Sequence, residues 1–326
     1  MKLGKLTSDE LKENVLNVLR AKRKETLMSS ALGEDCGAVK LGETILITSD
    51  PITAEVKIEK LGSLCVSVCC NDIVANGGEP IAMTLTIIMP PHCSATDVKT
   101  IMVGAQNKAE ELNVDILGGH TEFSDCVSRP IVSGTAIGRV KRLLKKTAIK
   151  KGDKLLVTKF LGIEGTCILA DIQKDEFPKA EKDILAQFNK MLDVSEESKQ
   201  LSELEEVRAM HDITEGGVLG AVAEVCQSIG VGAILKKDRM PIHELTAKLC
   251  RQLEVNPLRL ISSGSMLIIA SDVDKVIARL NEKDIAVTQI GEIVEDKRVL
   301  LIDGDSTEEI DIEKDEMYKF TGEKVQ

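Results

Sequence analysis

The sequence predicts an α+β protein of two domains, each a β-sheet covered by helices. Three observations lead there. The chain has 326 residues, 43% hydrophobic and 29% charged, an ordinary globular composition at a length that suggests two domains of roughly 150 residues each. Helical and strand-like periodicities alternate along it. A basic stretch, Arg139 to Lys154, breaks that alternation near the middle and reads as a solvated linker, with a phosphate-facing patch as the alternative. The domains are therefore expected at 1–145 and 146–326.

Each element has its own signal. Ser8 to Arg20 reads as an amphipathic helix, with Leu11, Val15, Leu16 and Leu19 at helical spacing and Ser8 as N-cap. Cys36 to Lys40 and Thr44 to Thr48, separated by Leu41-Gly42-Glu43, read as a hairpin. Ile58 to Ala75 is a long buried helix stopped by Gly77-Gly78, and Ile81 to Met89 is a strand. Ser94 followed by Asp97 opens a helix to Leu112 as a variant capping box. Val114–Leu117 and Ile131–Ile137 complete the first strand set. The second half opens on the strand Lys154–Thr158. Helices follow near Gly165–Ala170, Glu181–Leu192, Ser195–Leu204 and Gly216–Ser228. After these come strand Ala233–Leu235, helix Ile242–Leu253, strand Ser265–Ala270, helix Asp272–Glu282 and strand Ala286–Val294. The acidic tail Asp303–Glu316 reads as surface.

Composition excludes several functions. With 0 Trp, 1 Tyr and 5 Phe, the chain lacks the aromatic platforms that bind sugars or single-stranded nucleic acid. A net charge of −11 gives a polyanion no general attraction, so any phosphate must be held locally, by backbone donors or a metal. No nucleic-acid partner is expected. The longest nearly uncharged apolar run, Ile81 to Pro91, is too short to cross a bilayer. Nine cysteines, an odd count without a CxxC pair, argue against a disulfide framework or a zinc ribbon. Met1 to Asn14 is charged and has no export signature, so a cytoplasmic location is expected. P-loop, dinucleotide fingerprint, nucleophile elbow and His-Glu-x-x-His patterns are all missing.

Five glycine-and-acid clusters stand out. They are Gly33-Glu34-Asp35-Cys36-Gly37, Thr48-Ser49-Asp50-Pro51, Asn71-Asp72 with Asn76-Gly77-Gly78, Gly118-Gly119-His120-Thr121-Glu122, and Asp212-Ile213-Thr214-Glu215-Gly216-Gly217. Asn71 and Asp72 interrupt an apolar helix that their own propensity disfavours. The fourth cluster is placed at a strand end, and the glycines of the fifth open a helix and offer N–H groups to an anion. Singly, each acid could be a turn or cap residue. If they converge, carboxylates of like charge need a cation or a proton, and hard oxygen ligands suit Mg²⁺ bridged to phosphates.

In this order the clusters resemble the aminoimidazole ribonucleotide (AIR) synthase, or PurM-like, superfamily. The similarity is greatest to an AIR synthase-related branch near the hydrogenase-maturation carbamoyl dehydratase (HypE-like). Asn71-Asp72-Ile73 through Pro80 resembles the family's helix, and Gly134-Thr135-Ala136-Ile137-Gly138 the strand closing its first domain. The resemblance implies a two-domain PurM-like fold, the N-terminal sheet pairing across a homodimer into a barrel, with a C-terminal α/β sandwich domain. It implies that Asp35, Asp50, Asp72 and Asp212 hold Mg²⁺. It further implies that Gly33, Asp35, Asn71, Gly118, Gly119, Thr121, Asp212, Gly216 and Gly217 bind ATP, with Asp50, His120 and Asp72 catalytic. The implied activity is MgATP-dependent phosphorylation of an amide or carbonyl-type oxygen on a small-molecule or protein-borne substrate, leading to dehydration or ring closure. A small-molecule kinase of the thiamine-monophosphate type and a non-catalytic ATP-responsive maturation partner are the alternatives.

Two departures bear on the substrate. The chain ends Gly322-Glu323-Lys324-Val325-Gln326 rather than in the dehydratase's Pro-Arg-Ile-Cys, and His120 stands where the kinase and AIR synthase carry an acid. His120 is expected to orient the transferred phosphate, its tautomer held by Glu122 or Asp50, or else to cap the strand end. Cys65, Cys69 and Cys70 read as core packing, whereas Cys36, beside Asp35, could face substrate.

Overall fold

The computed structural model describes residues 8–17, 24–28, 31–34, 36–52, 56–140, 142–173, 177–312 and 314–321. It divides into two compact units. Residues 24–28 and 36–143 form the N-terminal unit; residues 8–17, 31–34 and 144–321 form the C-terminal unit.

The N-terminal unit is a six-stranded sheet of order β1-β2-β3-β6-β4-β5. Its strands are β1 (Thr26–Met28), β2 (Gly37–Leu41), β3 (Glu43–Ile52), β4 (Gly78–Met89), β5 (Asp115–Phe123) and β6 (Ile131–Val140). The expected hairpin forms as β2 and β3, turning at Gly42, whose φ of 93° suits glycine. Among the described strands only β4 and β5 pair in parallel, because a helix, Ala95–Leu112, crosses over between them. Helix α2 (Ile58–Ala75) matches its expected span and is buried from Leu61 onward except at Ser63 and Val68. Helix α3 (Ala95–Leu112) starts on the expected capping box of Ser94 and Asp97. The two helices cross at backbone contact: a Cβ on Gly62 would lie 1.9 Å from the Ile101 carbonyl oxygen.

The C-terminal unit carries a seven-stranded sheet of order β13-β12-β9-β11-β7-β10-β8, in which only β12 and β9 are parallel. Its strands are β7 (Lys154–Thr158), β8 (Val207–Ile213), β9 (Gly232–Lys236), β10 (Ser265–Ala270), β11 (Val287–Val294), β12 (Val299–Asp303) and β13 (Ser306–Ile310). Its helices include α4 (Ile163–Gln173), α5 (Lys179–Lys190), α6 (Ser195–Leu201), α7 (Gly217–Ile229), α8 (Glu244–Gln252) and α9 (Val273–Asn281). Its core joins Leu155 and Val157 of β7 and Leu267 and Ile269 of β10 to Val218, Leu219 and Val222 of α7. Among the described residues no helix is long and apolar enough to cross a membrane.

Four sequence expectations change. The N-terminal helix (α1, Ser8–Leu11) runs into a π-helical turn, Lys12–Leu16, and its expected end at 18–20 lies outside the described residues. Strand β8 is not anticipated, because Arg208, His211 and Asp212 break its apolar pattern although all but Arg208 of its residues are buried. The supposed surface tail begins with the end of β12 and the hairpin strand β13, turning at Gly304. It then buries Asp315 to 4% exposure. The Gly118-Gly119-His120-Thr121-Glu122 cluster lies inside β5, which runs on to Phe123, so His120 does not cap a strand end.

Candidate functional site

In the N-terminal unit, α2 lies against β3 and β6 and brings its polar pair to the sheet. Asn71 and Asp72 are buried, at 0% and 8% exposure, in a helix otherwise made of apolar and small residues. The Thr48 hydroxyl, on β3, lies 2.6 Å from Oδ2 of Asp72 and 3.4 Å from Oδ2 of Asp50. A hydroxyl has one hydrogen, so Thr48 donates to Asp72, and the Asp50 carboxylate is drawn close without receiving a comparable bond. The Asp72 main-chain carbonyl accepts from Asn76 Nδ2 at 3.1 Å and from the Cys36 thiol at 3.3 Å. Cys36 is therefore a buried donor to α2. Cys69 is held protonated by its hydrogen bond with Cys65, then by burial. Gly134 leaves room for both sulfurs, since its Cβ would meet Cys69 Sγ at 2.6 Å. These thiols pack the sheet against the helix, as expected.

Two carboxylates around one hydroxyl fit Mg²⁺, whose charge relieves their repulsion. Among the described residues no three His, Cys, Asp or Glu side chains come together closely enough to hold a metal by themselves. That is compatible with Mg²⁺, which is commonly bound by one or two carboxylates plus substrate phosphates and water. Asp35, expected in this set, lies outside the described residues.

The sheet register separates His120 from these acids. One row across the sheet runs Asp50, Gly134, Leu85, Gly119; the next runs Pro51, Ser133, Thr86, His120. Adjacent rows point to opposite faces. Asp50 lies on the face that carries Thr48 and α2, whereas His120 is on the other face, three strands and about 14 Å away. Its Nε2 lies 3.3 Å from Glu122 Oε2, both side chains being half exposed or more. Of the two expected partners, Glu122 holds the imidazole and Asp50 does not. Gly118 and Gly119 have φ of 142° and 144°, a conformation open to glycine, and carry the irregularity between β5 and β4. Thr121 pairs with Ile87 on the Asp50 face.

In the C-terminal unit, Gly33 (φ 70°) abuts α7, where its Cβ would lie 3.0 Å from that of Ser228. Asp212 sits buried in β8, at 2% exposure, and is not a helix cap. The N-cap of α7 is Gly216, φ 86°. Its N–H donates to the Asp315 carboxylate at 2.7 Å, so a side chain of the same chain occupies that anion-binding position. Burial pushes Asp315 up to about 6. Gly217 is packed tightly: a Cβ there would lie 2.5 Å from the Leu258 carbonyl oxygen.

One acid beside this turn escapes the sequence reading. Glu164, in the first turn of α4, is 4% exposed. Burial pushes it up to about 7; the approach of the Ser263 hydroxyl and amide opposes the rise, and the Asp315 and Asp212 charges add to it. Its signal was available in Gly162-Ile163-Glu164-Gly165, an acid between glycines like the clusters singled out.

Residues 33–140 match the N-terminal domain model of AIR synthase related proteins, and residues 150–304 match the C-terminal one. The chain belongs to the AIR synthase related family. It is 26% identical to a putative hydrogenase expression/formation protein of Methanocaldococcus jannaschii over 83% of this chain and 81% of that one. It is also 26% identical to the thiamine-monophosphate kinase of Pyrococcus horikoshii, over 88% of this chain and 91% of the kinase. A crystal structure of the hydrogenase maturation protein HypE in complex with ATP superimposes with a TM-score of 0.74 at 16% identity, covering 96% of each chain. The mixed α+β architecture with two sheets is thus the AIR synthase related fold.

Proposed function

We propose that this protein is a MgATP-dependent enzyme that activates an amide or carbonyl-type oxygen by phosphorylation, so that phosphate leaves in a dehydration or ring closure. One observation carries the reading: Thr48 gathers Asp50 and Asp72 where an apolar helix meets the sheet, in a family with an ATP-bound member. Mg²⁺ held by Asp50 and Asp72 would screen phosphate charge during transfer; Asp35 and Asp212 keep the metal role, and Gly33, Asn71, Gly118, Gly119, Thr121, Gly216 and Gly217 the ATP role, that the resemblance implies. The chain's own part is positioning. Thr48 fixes Asp72, and the Asn76 and Cys36 bonds fix the helix end that carries it. His120, hydrogen-bonded to Glu122, keeps the catalytic role expected of it from the sequence.

A small-molecule kinase is the second reading, favoured by the 88% coverage against thiamine-monophosphate kinase. Incubation with MgATP and a panel of amide, carbamoyl and phosphate-ester acceptors, followed by phosphorus NMR, separates the two. Acceptor-dependent ADP with free phosphate supports the first reading, and a stable phosphoryl product supports the kinase. ATP binding with no acceptor-stimulated ADP contradicts both and leaves a non-catalytic ATP-responsive partner.

A further inference from the structure

The one hydrogen of Thr48 goes to Asp72, so Asp50, the other acid beside it, needs a different constraint. Helix α2 offers one. Cys65, Cys69 and Asp72 follow one another at intervals of four and three residues, which sets them on one face of the helix. Asp72 meets Thr48 of β3, and Cys69 meets the backbone of Asp50 two residues further along the same strand. The Asp50 N–H is hydrogen-bonded to the Cys69 sulfur, and Cys69 is hydrogen-bonded in turn to Cys65. A backbone N–H can only donate, so the sulfur accepts from Asp50 and gives its own hydrogen to Cys65.

The sheet leaves room for this sulfur. Gly134 of β6 is the cross-strand partner of Asp50. A Cβ there would lie 2.6 Å from Cys69 Sγ and 3.0 Å from Cys65 Sγ. Gly134 is not among the glycines of positive φ, so the position needs space rather than a special backbone conformation. Both thiols are fully buried, and water does not compete for the contact.

We propose that Cys69 is a positioning residue for Asp50. From α2 it holds the β3 backbone at Asp50, as Thr48 of β3 holds Asp72 of α2, so reciprocal contacts between one strand and one helix set both carboxylates. This deepens the reading above and rests on it for one point, that Asp50 helps bind the Mg²⁺ of MgATP.

Two measurements on the full chain test it. The first needs no nucleotide. A hydrogen-bonded amide proton resonates downfield of a free one, so in a proton–nitrogen NMR spectrum the Asp50 amide moves upfield in Cys69→Ala, which removes the acceptor. It stays downfield in Cys69→Ser, which keeps one. Both variants lose the packing of a single sulfur, and thermal melts establish that they fold. The second measurement is calorimetric titration with MgATP. Cys69→Ala is expected to bind about fivefold more weakly, the worth of one hydrogen bond, and Cys69→Ser within about twofold of the wild type. In the Asp72→Asn background Cys69→Ala still adds its loss. In Asp50→Asn, which keeps the backbone N–H and lacks the charge, it adds none. A sulfur that only packs would weaken the alanine and serine variants alike and would act in both backgrounds. That pattern, or an Asp50 amide that does not respond to Cys69→Ala, overturns the proposal. A wild type that takes no MgATP while its Asp50 amide responds as expected retains the contact and loses the nucleotide reading.

Discussion

The hydroxyl of Thr48 donates to Oδ2 of Asp72 across 2.6 Å, tying β3 to the polar segment of α2. Both residues are buried, at 6% and 8% exposure. Thr48→Ala removes a donor from a buried carboxylate and is expected to cost about 1–3 kcal/mol, whereas Thr48→Ser keeps the donor and loses about 1 kcal/mol or less. Urea unfolding of the two variants checks this. Equal loss in both would mean that the methyl group, and not the hydroxyl, matters.

Gly118 and Gly119 share a backbone conformation but differ in surroundings. A Cβ on Gly118 meets nothing within 4 Å, while one on Gly119 lies 1.7 Å from the Leu85 carbonyl oxygen. Gly118→Ala is expected to cost about 1–3 kcal/mol in backbone strain, and Gly119→Ala at least about 1 kcal/mol more, by forcing β5 off β4. Denaturation midpoints rank the two.

How far the sequence foretold this architecture depends on whether the signal was local. Helix α2 and the Ser94–Asp97 box follow from apolar runs and caps, which act within a few residues, and they appear where expected. The acids at positions 50, 72 and 212 were visible because they interrupt small or apolar residues. Thr48 was not, since a threonine in a strand is unremarkable until register sets it beside Asp72. Asp315 hid in an acidic run that reads as solvated, yet the residues after it, Met317 and Phe320, pack beside Leu169 and Leu260. The face occupied by His120 depends on pairing through β6 and β4, which no local pattern reveals.

Glu164 and Asp315 make stability depend on pH. Both carboxyls rise on folding, to about 7 and about 6. The folded protein therefore holds protons that the unfolded chain has released, and stability falls as pH rises from about 4 through 7. Neighbouring charges of Asp212, Glu215 and Glu316 add to these rises, which together correspond to a fall on the order of 6 kcal/mol. Glu164→Gln flattens the upper part of the profile. Melting temperatures from pH 5 to about 8 measure it, and a wild-type profile rising over that range would contradict the burial of these groups.

The N-terminal sheet leaves Ile47, Ile81 and Ile137 at 40%, 41% and 38% exposure. Ile47 and Ile137 are direct cross-strand neighbours on the face away from α2. Such a face needs a cover, and a second copy supplies one. A homodimer is expected at micromolar concentration, and Ile137→Lys is expected to sediment as a monomer. A wild-type monomer, or a lysine variant that still dimerises, rules out this face.

Asp72, held by Thr48, is proposed to help bind ATP through Mg²⁺. The decisive experiment is isothermal calorimetry of ATP binding, with excess Mg²⁺ and then with EDTA, on the wild type and on Asp72→Asn. Binding is expected to need Mg²⁺ and to be at least about tenfold weaker in Asp72→Asn, a loss of about 1.4 kcal/mol. Equal ATP affinity in EDTA, or an Asp72→Asn variant that binds as tightly as the wild type, would contradict it.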